Sequence, residues 1–460
     1  MSWQRPLFLA VLVSTVSLVA GCVAAPGADV PRAPSAGGDS ASAAAKTGDR
    51  IYLRNAGPDG ALVVLDADTG AELSRLPAGI NTPDWSLVYG AEDVDGTTTV
   101  IRATDVAKNA VTGERRIESA HTFQLPAVSF TGEPGGFSPN ARWLALADGG
   151  HVDYAAKGAP TKTTFAVLDS KLQQPATVVE LPGTFSFDAI SDSGANLYVE
   201  EHLGNNGDDG YRVRVYDLRA GQLMPDVVVD KAGNASGMAG TRVGTLASPD
   251  GTWQYTLYWR QGGNPFIHAI KLEERWSLCL FLPVQTSGEQ DFAWSFVASP
   301  DGRTAYAVNN LKGYVAQISL TNASVIKTAT FDAQQAAAPS LGESIARFFL
   351  PVAEAKSEMF SQSVVSPDGQ TVWATGDFGR KLFALRTDTL AVRARYSIDL
   401  SSGNPVQTTA LGISADGKRL YGIAADRRLL LRIDAATGKV IAEVSLARPI
   451  AGRILRIAAP

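Results

Sequence analysis

A turn of the form Ser-Pro-Asp-Gly recurs along this chain at 248–251, 299–302 and 366–369, with variants at 191–194 (Ser-Asp-Ser-Gly) and 414–417 (Ser-Ala-Asp-Gly). The closing glycines Gly194, Gly251, Gly302, Gly369 and Gly417 are 57, 51, 67 and 48 residues apart. Proline presets φ in such a turn and glycine accepts positive φ, so the chain reversal is written locally. A recurrence of this length means that one small unit of structure is repeated and stacked on copies of itself. Ser-Pro-Asn-Ala at 138–141 reads as a weaker copy.

Four residues after the turn glycine, or the residue in its place, an aromatic recurs: Tyr52, Tyr89, Tyr198, Tyr255, Tyr306, Trp373 and Tyr421. The unit of 138–141 has Ala145 instead. A ring at one fixed place in unit after unit reads as core between stacked sheets, not as a ligand platform. Each unit closes with a hairpin. The first joins 62–65 to 72–76 around Asp66-Ala67-Asp68-Thr69-Gly70, and the last joins 429–433 to 439–444 around Asp434-Ala435-Ala436-Thr437-Gly438. Short alternating strands broken by Gly/Asp turns read as antiparallel sheet.

Four strands per unit of about 45–50 residues predict an all-β chain folded as a β-propeller. Eight four-stranded blades are expected, or seven if the weak unit at 137–182 merges with a neighbour. Nothing precedes Asp49 that could serve as an innermost strand, so 453–457 is expected to supply it and close the ring without an open edge. The 67-residue spacing contains an insertion at 333–360. Its apolar run at 344–350 suggests a short helix on the propeller edge, interrupted by Pro351; a partner-docking or membrane-touching element is the alternative.

The first 21 residues read as a lipoprotein signal peptide. Arg5 and the terminal amine give a positive start, and the apolar stretch at 7–20 falls short of the roughly 20 residues needed to span a bilayer. Leu18-Val19-Ala20-Gly21-Cys22 resembles the lipobox of bacterial lipoproteins, which places a lipid on Cys22. Residues 22–48 then form a tether: 19 of the 26 that follow Cys22 are Ala, Gly, Pro or Ser, too small to bury enough surface to offset ordering. The expected domain is 49–460, held outside the cytoplasm at the membrane by its anchor.

A formal net charge of -5 with dispersed Lys and Arg argues against a nucleic-acid partner, which needs a basic face. The two cysteines are Cys22 and Cys279, so a lipidated chain has no internal disulfide. Cys279 lies in the apolar run Leu278-Cys279-Leu280-Phe281-Leu282 and reads as a buried strand thiol. The four histidines, His121, His151, His202 and His268, form no metal-ligand pair, and nucleophile-elbow, dinucleotide and P-loop motifs are absent.

Two stretches carry candidate site residues. Glu200, Glu201, Asp208 and Asp209 crowd the segment 200–210 with His202, Asn205 and Asn206. Oxygen-rich, glycine-containing loops can wrap Ca²⁺, the one cofactor suggested, although the spacing matches no calcium repeat and a solvated acidic loop is the plainer reading. Trp259, Arg260 and Phe266 flank a Gly-Gly-Asn-Pro turn, as in a ligand-binding patch or in packing between blades.

The units from about 240 to 450 resemble the YVTN/WD40-like propellers of secreted bacterial proteins. The matching residues are the Ser-Pro-Asp-Gly turns, 304–309 (Thr-Ala-Tyr-Ala-Val-Asn) and 433–440 (Ile-Asp-Ala-Ala-Thr-Gly-Lys-Val). The tetrad itself is absent, with Tyr306-Ala307-Val308-Asn309 in its place. The resemblance implies the fold; its members include lactonase-type enzymes and redox-enzyme subunits, so it lends no single activity. The expected function is binding or scaffolding of a protein or small-molecule ligand. A hydrolase with residues drawn from several blades and an accessory subunit of a membrane complex are the alternatives.

Overall fold

The computed structural model describes residues 46–55, 60–148, 162–203, 210–231, 238–260, 263–331, 362–400, 410–450 and 452–459. Cys22, most of the tether, Asp208, Asp209 and the 333–360 insertion lie outside the described residues. Among the described residues eight sheets follow one another along the chain, seven of four antiparallel strands and one of five. The weak unit forms a blade of its own, from Phe123–Gln124, Trp143–Asp148, Lys162–Asp169 and Thr177–Pro182. The expected eight blades are present.

Blade 1 draws three strands from the start of the domain and its innermost from the end. Gly452–Ala458 pairs antiparallel with Arg50–Asn55, opposing Ile51 to Ile457 and Arg54 to Arg453. Ring closure therefore rests on ladder hydrogen bonds between residues about four hundred positions apart in the chain. Blade 5 carries the fifth strand: Val229–Asp230 lies parallel to its outermost strand, Trp276–Phe281. No helix among the described residues is long and apolar enough to cross a membrane.

The recurring turn explains itself chemically. In Ser248, Ser299 and Ser414 the hydroxyl donates to the Asp two residues on, at 2.5, 2.6 and 2.6 Å. The same oxygen accepts the amide of Trp253, Thr304 or Arg419, five residues on, at 3.0 Å. The closing glycines sit at φ near +70°, a region costly for other residues. Ala141 and Trp85 hold that position in blades 3 and 2 at φ 55° and 61°, so the turn persists there without glycine.

The recurrent aromatics are buried, except Tyr52, which is half-buried against Trp85. They are more than filler. Tyr89 donates to the carbonyl of Ser170, Tyr198 to that of Leu272 and Tyr255 to that of Leu320, at 2.5, 2.7 and 2.9 Å. Each acceptor follows the third strand of the next blade, so in these three units one residue both fills the gap between sheets and ties it.

The inner strand of blade 3 is interrupted. Phe123–Gln124 pairs with the end of the second strand, and Phe137 pairs with Leu144 near its start. Between them the chain leaves the sheet at Pro126 and rejoins at Gly135, whose amide bonds the Pro126 carbonyl at 2.8 Å. This excursion crosses the central channel. The Phe130 amide bonds the carbonyl of Arg242, on the inner strand of blade 5, at 2.9 Å.

Candidate functional site: the corked channel

Glu133, at the turn of the excursion, receives a hydrogen bond from Arg453 of the blade 1 inner strand at 2.6 Å. Three cavities meet at this ion pair, of about 460, 350 and 300 Å³, and both residues line all three. The largest opens beside Asn55 and Gly60, where the second strand of blade 1 turns back toward the third, and beside Gly79, on the link from blade 1 to blade 2. The 350 Å³ cavity reaches Pro139 and Ala247, beside the recurring turns at the other end of the inner strands. The excursion is a cork that divides the channel.

Arg54 stands directly across the strand ladder from Arg453. Like charges in opposed positions repel, and a β-ladder holds them about 5 Å apart. One carboxylate, Glu133, serves both. Arg54 donates from one terminal nitrogen to the Gly79 carbonyl at 2.9 Å, while its Nε is buried without a hydrogen-bond partner. Burial pushes the Arg54 pKa below its ordinary value, Glu133 partly offsets this, and the Arg453 charge adds to it.

A second ionic cluster lies between blades 4 and 5, held by internal bonds, with Asp188 Oδ2 buried in it without a hydrogen-bond partner. Arg242 bonds Glu200 at 2.8 Å, Asp188 at 3.3 Å and the Phe187 carbonyl at 2.7 Å. Tyr258 donates to the same Glu200 oxygen at 2.8 Å, and Ser186 to the other at 3.0 Å. Burial alone would raise the Glu200 carboxyl; the Arg242 charge and these bonds outweigh it and hold it below the usual range. Asp188 moves the other way, to about 7, because burial and the Glu200 charge exceed what the shared Arg242 returns. His268, buried nearby, is pushed down to about 4 by burial.

Glu200 and Glu201 are therefore strand residues of Asn196–His202, not loop residues. Neighbours on a strand face opposite sides, and Glu201 pairs with Arg212 and Arg214 at 2.9 and 2.7 Å. A cation held by the segment that follows would have to compete with these arginines for both. Among the described residues no group of three or more His, Cys, Asp or Glu could hold a metal ion. The alternation extended further than the local crowding of acidic residues suggested.

Trp259 and Phe266 also part company. Phe266 is buried and stacks on Tyr258, with centroids 5.0 Å apart at 6°. It is packing. Trp259 packs edge-on against Phe292 at 4.8 Å, and Phe292 meets Phe130 of the cork at 6.0 Å. Arg260 folds beside Gly263. Arg54, Glu133 and Arg453 escaped sequence reading; the only local signal was the interval between the Phe123 strand and the 138–141 turn, longer than a blade requires.

No protein-family model matches this chain, and no curated protein does. Many solved structures share its fold. AztD from Citrobacter koseri, in its apo form, has a TM-score of 0.53 at 12% identity over 90% of this chain and 98% of that one. The dihydro-heme d1 dehydrogenase NirN aligns at TM-score 0.48 and 15% identity, over 92% of this chain and 76% of that one. A putative 6-phosphogluconolactonase from Bacteroides fragilis aligns at 0.41 and 13%, over 90% and 98%. At these identities the likeness concerns the propeller fold.

Proposed function

We propose that the protein is a lipid-anchored, extracytoplasmic binding propeller that takes a small molecule into the 460 Å³ cavity above the cork. The observation that carries this reading is the convergence of Arg54, Glu133 and Arg453 on a cavity of ligand size, walled by rigid blades. Ligand sites of this kind are concave, largely preformed and fixed by a few polar groups. Deeper in the channel Arg242, Glu200, Tyr258 and Ser186 are engaged with one another, which supports holding a ligand over transforming it. The anchor rests on the run ending at Cys22. Cys22→Ala should release the protein from membranes, and a mature form without N-terminal lipid would refute the anchor. A thermal-shift screen of charged and neutral metabolites should give hits that Thr131→Trp, which fills the cavity, abolishes; an empty screen would refute the binding role.

A hydrolase is the second reading, and Asp188 favours it: a carboxyl titrating at about 7 on the wall of the 350 Å³ cavity has the proton affinity of an acid–base group. Hydrolysis of lactones or esters that disappears in Asp188→Asn would support it.

A further inference from the structure

We infer that the ligand of this cavity is a small organic carboxylate, seated between Arg54 and Arg453 in competition with Glu133. The inference rests on the binding reading above and specifies its chemistry. Three independent observations support it. Arg54 and Arg453 are opposed on adjacent strands, an arrangement that costs stability unless an anion lies between them. Two carboxylates border the cavity, and neither hydrogen-bonds Arg54: Asp93 accepts the Gly96 amide and Glu133 accepts from Arg453. Arg54 retains a buried Nε with no acceptor, a standing cost that falls if the guanidinium turns toward an anion in the cavity.

The geometry selects the anion's shape. A guanidinium presents a planar fork that matches a carboxylate in two parallel bonds. Glu133 shows that a carboxylate is accepted at Arg453. With two positive charges and one internal negative charge, the trio lacks one anionic group. Glu133 is also a residue of the cork, so a ligand that takes Arg453 from it loosens the cork's tie to blade 1. Phe130 remains held through the Arg242 carbonyl on blade 5. Asn55, Gln124 and Thr131 border the same cavity and offer the rest of the ligand neutral hydrogen-bonding groups.

The test is calorimetric titration of the purified full-length protein with succinate, inorganic phosphate and the neutral isostere succinamide. Succinate should bind saturably and more tightly than either comparison compound. Arg54→Gln should weaken succinate binding by at least about tenfold, as expected for a lost charge-assisted bond. Arg54→Lys, which keeps charge and loses the fork, should fall between. Glu133→Gln should tighten binding, because Arg453 is then free of its internal partner. Circular-dichroism melts of each variant show that the fold is kept. Succinate binding no tighter than succinamide or phosphate, or no weaker in Arg54→Gln, overturns the inference. Neutral hits in the screen above, with succinate inert, would leave the binding reading standing while this one fell.

Discussion

The hydroxyl of Tyr421 donates to the carboxylate of Asp49 at 2.5 Å, joining blade 8 to the residue that begins blade 1. In Tyr89, Tyr198 and Tyr255 the same position reaches a backbone carbonyl of the next blade. At the seam the repeat substitutes a charged acceptor, and Arg419 adds an ion pair to the same oxygen at 3.3 Å. Arg432 and Asp68 make a second pair across the seam at 2.6 Å, and the amides of Thr47 and Gly48 also bond Asp68. The last residues of the expected tether thus help lock the ring.

Tyr421→Phe should therefore cost more than the same change inside the ring. A hydrogen bond to a buried charge contributes about 1.5–3 kcal/mol and a neutral one about 1 kcal/mol. Urea titrations of Tyr421→Phe and Tyr255→Phe measure the difference; equal losses would show that the seam is no stronger than any other junction.

Ala141→Gly should stabilise the protein. Ala141 holds a left-handed conformation at φ 55°, which costs a non-glycine residue about 1–2 kcal/mol. Glycine's greater freedom in the unfolded chain returns about 0.4–1 kcal/mol of that. A net gain of about 0.5–1 kcal/mol is expected from denaturant unfolding, and any loss would contradict the strain account.

Asp188 should make stability depend on pH. Its carboxyl holds a proton up to about 7 in the folded protein and releases it near 3.8 when unfolded. Between those values the folded state binds more protons, so this contribution to stability declines as pH rises through that window. His268, depressed to about 4, acts in the opposite sense below its ordinary value. The comparison with Asp188→Asn isolates the carboxyl: the variant's melting temperature should rise relative to the parent from pH 5 to pH 8. A constant difference would mean that Asp188 is charged throughout.

Cys279 should be inert in the native protein. It is buried on the outermost strand of blade 5, and burial with the nearby Asp230 charge pushes its thiol up to about 12. A thiol reagent at pH 8 should label it only after denaturation; rapid native labelling would show that the covering strand Val229–Asp230 opens readily.

The aromatic of each unit and the Ser-Pro-Asp-Gly turn were legible as sequence because their causes are local. A turn needs Ser, Pro, Asp and Gly within four residues, and a half-buried strand needs alternation over six. From such signals alone came eight blades, four strands in each, and closure by the C-terminal strand. Glu200 shows where local reading stops: its acidic neighbours suggested a shared loop, while its actual partners, Arg242 and Tyr258, lie 42 and 58 residues away.

The repeat is what the sequence by itself determined, including how the ring closes. Tertiary structure alone decided what meets inside the ring. Arg453 and Glu133 are 320 residues apart, and Arg54 meets Arg453 only because the last strand returns to the first blade. A channel wall takes one inner strand from each blade, so its side chains are separated by whole repeats and leave no pattern within any window of the chain. Local free energies select turns and strands. The meeting of two guanidiniums with one carboxylate follows from closing the circle and from the excursion at 126–135 that carries Glu133 into it.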